Sequence, residues 1–393
     1  MLEDNYGADL AVDVSVFVFR VGCRFSSFRR STRCADDLAD ATLVIGQKNF
    51  TSSKCDNGNG KPAKATLCGP EGPVASGNKA FYITDTGNDR VLGFKNVPAK
   101  NGASAKFVLG QKNLKSAKNG VGSKSFHTPT AVFVAGNQLL VNDYGNNRVL
   151  IWNKLPTKND APANVVVGQP DFTSNDSATS QSGLDSPELG LIVAGGKLLV
   201  ADRNNNRIMI WNSIPTTNGA DADVVVGQPD FTSNGEDASQ TGLNQPEELW
   251  SDGTRLVVAD ENNHRVLIWN TIPTANGAPA DVVVGQPDFT SHDTGSPTAQ
   301  SFDSPYGVTS DGTSLYVADT QNNRVLVFSP FPTSNNPTAS IVLGQSDFTD
   351  RDINAGNASP SAQTLNFPQG LSIIGTHLVV DDDGDDRYLF FSL

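Results

Sequence analysis

The sequence predicts an all-β fold, a six-bladed β-propeller of four-stranded antiparallel blades whose ring is closed by the N-terminal strand. Three observations carry this: a sixfold internal repeat, four strand-length apolar segments within a repeat, and a last repeat that stops one strand short.

The repeat is visible in two signatures. A degenerate Val-Val-Val-Gly-Gln-Pro-Asp-Phe-Thr-Ser segment places its Gln at Gln47, Gln111, Gln169, Gln228, Gln286 and Gln345, at intervals of 64, 58, 59, 58 and 59 residues. A second signature sets Asp85, Asp143, Asp202, Asp260, Asp319 and Asp382 five residues before Arg90, Arg148, Arg207, Arg265, Arg324 and Arg387. Fixed-period self-similarity absorbs a long chain into one ring, so a length of 393 residues does not by itself imply several domains.

Within one repeat, residues 246–286, apolar segments run over Glu248–Ser251, Leu256–Ala259, Val266–Trp269 and Val282–Val284. Between the second and third lies Glu-Asn-Asn-His, a turn whose Asn residues tolerate the left-handed conformation of a tight hairpin. Four such strands make one blade. The last repeat ends at Leu393 after three strands, while a spare apolar segment, Thr42–Ile45, precedes the first. Leu43 to Ile45 is therefore expected to pair with Tyr388 to Phe391, which removes an open sheet edge. The propeller is assigned to residues 41–393.

Residues 1–40 do not share the repeat and read as an N-terminal extension, tag or linker. Acids come first there, then a short apolar run Val14–Phe19, then the basic stretch Arg20–Arg33, the reverse of a secretory signal. Val21-Gly22-Cys23 is similar to a lipoprotein cleavage site, but Arg20 occupies the place of the apolar region.

Composition narrows the partners. Thirty-six Gly and 22 Pro beside many Val and Ile agree with short strands and frequent turns. The net charge of -13 and the lack of a basic stripe oppose nucleic-acid binding, which depends on Lys and Arg neutralising phosphates. No apolar run is long enough to span a membrane. Cys55 and Cys68 bracket an Asn/Gly/Lys-rich loop, and a disulfide between them, closing a 13-residue separation, would imply an extracytoplasmic location. The pairing of Cys23 and Cys34 is left open. A monomer is expected.

Leu-Tyr-Val-Ala-Asp-Thr-Gln-Asn-Asn-Arg-Val at 315–325 and Val-Val-Ala-Asp-Glu-Asn-Asn-His-Arg-Val at 257–266 resemble NHL repeats, and the resemblance extends over Ala41–Leu393. It implies the propeller fold and leaves function open, because NHL propellers serve as binding scaffolds, RNA readers and lyases. The Gly-Gln-Pro-Asp-Phe-Thr-Ser variant further resembles exported bacterial NHL proteins.

Repetition separates construction from function. Six Asp/Arg pairs read as ties across a hairpin or between blades; as exposed pairs they would add about 0–1 kcal/mol each. Trp152, Trp211 and Trp269 recur at one third-strand position and read as packing between blades. Trp250 stands in a first strand where other blades carry Phe133, Ile192, Thr309 and Ser372, a place that packs or reaches the axial channel.

Positions that vary between blades are where function is expected. The residue after the Pro that opens each first strand is Glu71, Thr130, Glu188, Glu247, Tyr306 and Gln369, with Glu248 beside Glu247. First strands line the axis, so these side chains are candidates for a ligand-binding ring at the channel mouth. Glu71, Glu188 and Glu247 are candidate ligands for a hard cation such as Ca²⁺, and the same carboxylates suit a cationic or polyhydroxylated ligand. The acidic turn Asp381–Asp386 lacks the EF-hand alternation and its terminal Glu.

Catalytic signatures are sparse. Peptide-amidating lyases, propellers of the resembled family, hold zinc on three His near the channel, whereas His264, His292 and His377 fall in a turn, a loop tip and a second strand, leaving His127 alone near the axis. The sequence has no Gly-x-Ser-x-Gly elbow and no phosphate loop. Two functions remain: a noncatalytic extracytoplasmic binding or scaffold protein with a protein, glycan or small-molecule ligand, or a Ca²⁺-dependent hydrolase or lyase with its site at the mouth.

Overall fold

The computed structural model describes residues 40–77 and 80–393. The expectations for residues 1–39, Cys23 and Cys34 included, lie outside the described residues. Six four-stranded antiparallel sheets form a six-bladed β-propeller with no α-helix among the described residues. Blade 4 shows the pattern: Pro246–Ser251, Leu256–Asp260, Arg265–Trp269 and Val282–Val284, hydrogen-bonded in sequence order. Each strand is flanked by apolar side chains on both faces because each blade is sandwiched between two others.

Blade 6 takes its fourth strand from the other end of the chain. Leu43, Val44 and Ile45 lie opposite Phe390, Leu389 and Tyr388, as the missing strand predicted. Gln47 extends the closure by donating to the Asp386 carbonyl at 3.1 Å. The other repeated Gln side chains make the equivalent bond, Gln169 to Asn147 at 3.0 Å and Gln228 to Asn206 at 3.0 Å.

The hairpin turns follow from their residue types. The second strand of each blade ends at the repeated Asp, one 3₁₀ turn follows, and the next residue adopts a left-handed conformation with φ of 50–53°. That residue is Asp89, Asn147, Asn206, His264, Asn323 or Asp386, short polar types favoured there. Its side chain accepts the N–H of the residue that precedes the first-strand Pro of the following blade: Thr128 on Asp89 at 2.9 Å, Ser186 on Asn147 at 2.7 Å, Ser304 on His264 Nδ1 at 3.0 Å. One turn thus closes a hairpin and staples two blades.

The six Asp/Arg pairs correct the expectation of exposed ties. Both partners are 0% exposed in every blade, with Nε–Oδ2 distances of 2.5–2.7 Å. Each Arg also binds carbonyls of the loops on either side of its blade; Arg148 reaches Phe172 at 2.8 Å and Gly122 at 2.9 Å. Burial of the charge is tolerated because the paired carboxylate and these carbonyls compensate it. Trp152, Trp211 and Trp269 are 2–3% exposed and join cores that span neighbouring blades, with each indole donating to a loop carbonyl. Cys55 and Cys68 form a disulfide, and no described helix is long and apolar enough to cross a membrane.

Candidate functional site

First strands begin at the face of the hairpin turns and run along the axis to the opposite face. Their opening residues gather at one mouth of the channel together with a second ring, the residue that follows each repeated Asp: Thr86, Tyr144, Arg203, Glu261, Thr320 and Asp383. This second ring also varies between blades. Sequence reasoning missed this ring except for Asp383, which falls within the acidic turn Asp381–Asp386, because the turn reads as a uniform structural repeat; comparing its six copies position by position would have found it.

Arg203 organises one side of the mouth. Its guanidinium meets Glu188 at 2.9 Å, Glu261 at 2.7 Å and Glu247 at a shorter contact, so one cation from blade 3 serves carboxylates of blades 3 and 4. Arg203 is 15% exposed and Glu247 is fully buried. Burial and the neighbouring Glu188 push Glu247 well above the usual carboxylate range, against the pull of Arg203. Its Oε2 has no partner among the described residues.

On the other side, on blades 6 and 1, no cation among the described residues forms an ion pair with the acids, although Arg203 weakly lowers Glu71. Burial first, then Glu188 and Asp383, push Glu71 up to about 8. Asp383 rises to about 7 through burial and the neighbouring Asp386 and Asp382. Behind them Asp381 is wholly buried, one oxygen accepting the Gly72 N–H at 2.9 Å and the other unpartnered. Gln369 is 5% exposed, and its Oε1 is likewise unpartnered.

The remaining candidates divide by role. Thr130 is buried and donates to the Glu188 carbonyl at 2.8 Å, which makes it a brace. Tyr306 is half-buried at the mouth, with its ring 6.2 Å from Phe367. Glu248 departs from the mouth and turns into the channel. Its Oε2 accepts the N–H groups of Val308 at 3.1 Å and Leu371 at 2.9 Å, linking blade 4 to blades 5 and 6. The three acids considered for a cation, Glu71, Glu188 and Glu247, are not gathered into one set of ligand atoms; Arg203 holds two of them. Among the described residues the one close trio of metal-binding types is Cys55, Cys68 and Asp386, and the disulfide takes both thiols.

The acids of the sixth turn are held by different groups and do not form one set of ligand atoms among the described residues. Asp382 pairs with Arg387 at 2.6 Å, Asp386 accepts the Gly69 N–H at 2.7 Å, and Asp385 lies 3.4 Å from Arg387. His127 is exposed on the rim, its Nδ1 3.2 Å from the Gly145 carbonyl oxygen. Trp250 does both things considered for it: it lines the channel, and its ring lies 6.0 Å from Phe331.

No protein-family model and no curated protein matches the chain. Among solved structures it is similar to a streptogramin B lyase, at 13% identity and a TM-score of 0.46, covering 84% of this chain and 96% of that one. It is also similar to virginiamycin B lyase from Staphylococcus aureus, at 11% identity and a TM-score of 0.44, covering 84% and 97%. A computationally designed protein, Ika8, is similar at 8% identity and a TM-score of 0.41, covering 90% and 100%. Likenesses this distant carry no activity or substrate over to this chain.

Proposed function

We propose that the chain is an NHL-type propeller acting as a noncatalytic, extracytoplasmic binding protein, whose channel mouth takes an ammonium group carried by a protein or small-molecule ligand. The observation that carries this reading is the asymmetry of the mouth. Arg203 pairs directly with three carboxylates on one side, while Glu71, Asp381 and Asp383 have no ion-pair partner among the described residues. A ligand ammonium supplies the missing charge and up to three donors. The disulfide Cys55–Cys68 supports placement in an oxidising compartment.

Calorimetric titration with a short lysine-bearing peptide and its N-acetyl-lysine counterpart tests the reading. At pH 9, where Glu71 and Asp383 are ionised and lysine keeps its charge, only the charged peptide is expected to bind, and binding falls about tenfold at pH 6. The Glu71→Gln/Asp383→Asn double variant should lose it. Equal binding of both peptides would sink the proposal, as would a chelator-induced drop in melting temperature reversed by Ca²⁺, which would favour the metal-dependent enzyme.

A further inference from the structure

The channel does not run through as one space. Where first strands approach most closely, the position two after the Pro is Gly in three blades, and a side chain there would collide with its neighbour. A Cβ on Gly72 would lie 2.0 Å from the Thr130 oxygen, and one on Gly307 would lie 2.0 Å from the Gln369 oxygen. Blades 3 and 4 place long side chains at this level, Leu189 and Glu248, and of these only Glu248 is charged, its carboxyl held by backbone N–H groups of blades 5 and 6. Glu248 is therefore a bar across the constriction, 3% exposed.

Beyond the bar, toward the face opposite the acidic mouth, a pouch of about 320 Å³ opens, the size of a small-molecule site. Its walls differ. Phe133, Ile192 and Trp250 make an apolar wall from blades 2, 3 and 4, whereas Ser76, Thr309 and Ser372 bring hydroxyls from blades 1, 5 and 6. Glu248 forms the floor and is the one ionisable lining residue among those described. Both protein donors go to its Oε2, so Oε1 is free to face the pouch. Burial, with no cation beside it, holds this acid well above the usual carboxylate range, and a neutral acid so placed is a hydrogen-bond donor.

We propose that this pouch binds a small, uncharged, mostly apolar molecule whose carbonyl or hydroxyl oxygen accepts a hydrogen bond from the Glu248 carboxyl. The apolar wall takes the hydrocarbon part, and the shape of the pouch sets its size. The site is separate from the acidic mouth and does not rest on the reading given for it.

Fluorine NMR of the full chain titrated with 4-fluoroacetophenone tests this, with 4-ethylfluorobenzene as the oxygen-free analogue of similar shape. The ketone is expected to bind saturably at one site, and the analogue at least about fivefold more weakly, since one hydrogen bond is at stake. Glu248→Ala should weaken the ketone about tenfold, while Glu248→Gln, which keeps both an acceptor and a donor, should stay within about threefold. Ser76→Trp, at an exposed position on the pouch wall, should abolish ketone binding by filling the space. Equal binding of ketone and analogue to the wild type would overturn the proposal, as would ketone binding undiminished in Ser76→Trp; both hold whether or not Glu248→Ala folds.

Discussion

At the scale of single residues, Arg203 and Asp385 show what one departure from a repeat can do. Arg203 is the sole cation in contact with Glu188, Glu247 and Glu261 among the described residues. Arg203→Met leaves those acids uncompensated, and urea unfolding at pH 8 should show a loss of about 3–5 kcal/mol. The loss should shrink as pH falls, because burial first, against the pull of Arg203, raises the pKa of Glu188 and Glu247. Asp385 stands where five blades carry Asn donating to the repeated Asp, as Asn205 does to Asp202 at 2.9 Å. An acid cannot donate that bond when ionised, and its Oδ2 has no hydrogen-bond partner, only the 3.4 Å contact with Arg387. Burial pushes Asp382 up to about 7 against the pull of Arg387, and Asp385 adds to the rise. Asp385→Asn restores the donor and should stabilise the chain by about 1 kcal/mol at pH 8, measured by the same unfolding curves.

At this scale the sequence was informative only where copies were compared. Glu71, Glu188 and Glu247 were found because the first-strand position varies. Arg203 and Asp383 vary just as much, but they sit inside a turn whose leading Asp is constant and whose Asn recurs in five of the six copies. The burial of the Asp/Arg pairs was not legible, since it depends on loops of the blade's two sides folding over the guanidinium. The bar formed by Glu248 was hidden for a similar reason: it depends on how closely strands of different blades approach.

At the scale of elements, the strand Leu43–Ile45 carries the closure. Its three side chains are no more than 9% exposed, and burying each is worth about 1.5–3 kcal/mol. Deleting residues 1–47 should lower the melting temperature by more than about 10 °C; an unchanged value by calorimetry would contradict the closure. Outer strands are guarded as well. Asn159 of blade 2 accepts the Val108 N–H of blade 1 at 3.0 Å, and Asn218 of blade 3 accepts that of Val166 at 3.1 Å, so each loop covers the open edge before it. Closure follows from the spacing of the repeat and is legible in the sequence, whereas the guarding Asn residues depend on how a loop of one blade folds over the edge of the next and are not.

At the scale of the molecule, charge and stability are linked through the mouth. Glu71 and Asp383 have raised pKa values in the folded state, so the folded chain binds more protons than the unfolded chain above about pH 4.5. Their contribution is fully present below that pH and is lost as pH rises to about 8. The melting temperature should therefore fall from pH 5.5 to pH 8.5, and Glu71→Gln should flatten the profile. His264 acts in a different window. It accepts the Ser304 N–H through Nδ1 and its pKa is lowered by burial, so its staple weakens as pH falls below about 6.5.

The claim on which the functional account turns is that Glu71 and Asp383 await a cationic group from outside. A crystal structure of the full chain grown at pH 9 with lysine amide addresses it most directly. The account predicts an ammonium nitrogen within about 3 Å of the Glu71 and Asp383 carboxylates, with Arg203 still bound to Glu188 and Glu247. A mouth left without lysine amide at saturating concentration, or a divalent metal ion drawing Glu71, Glu188 and Glu247 together, would contradict it.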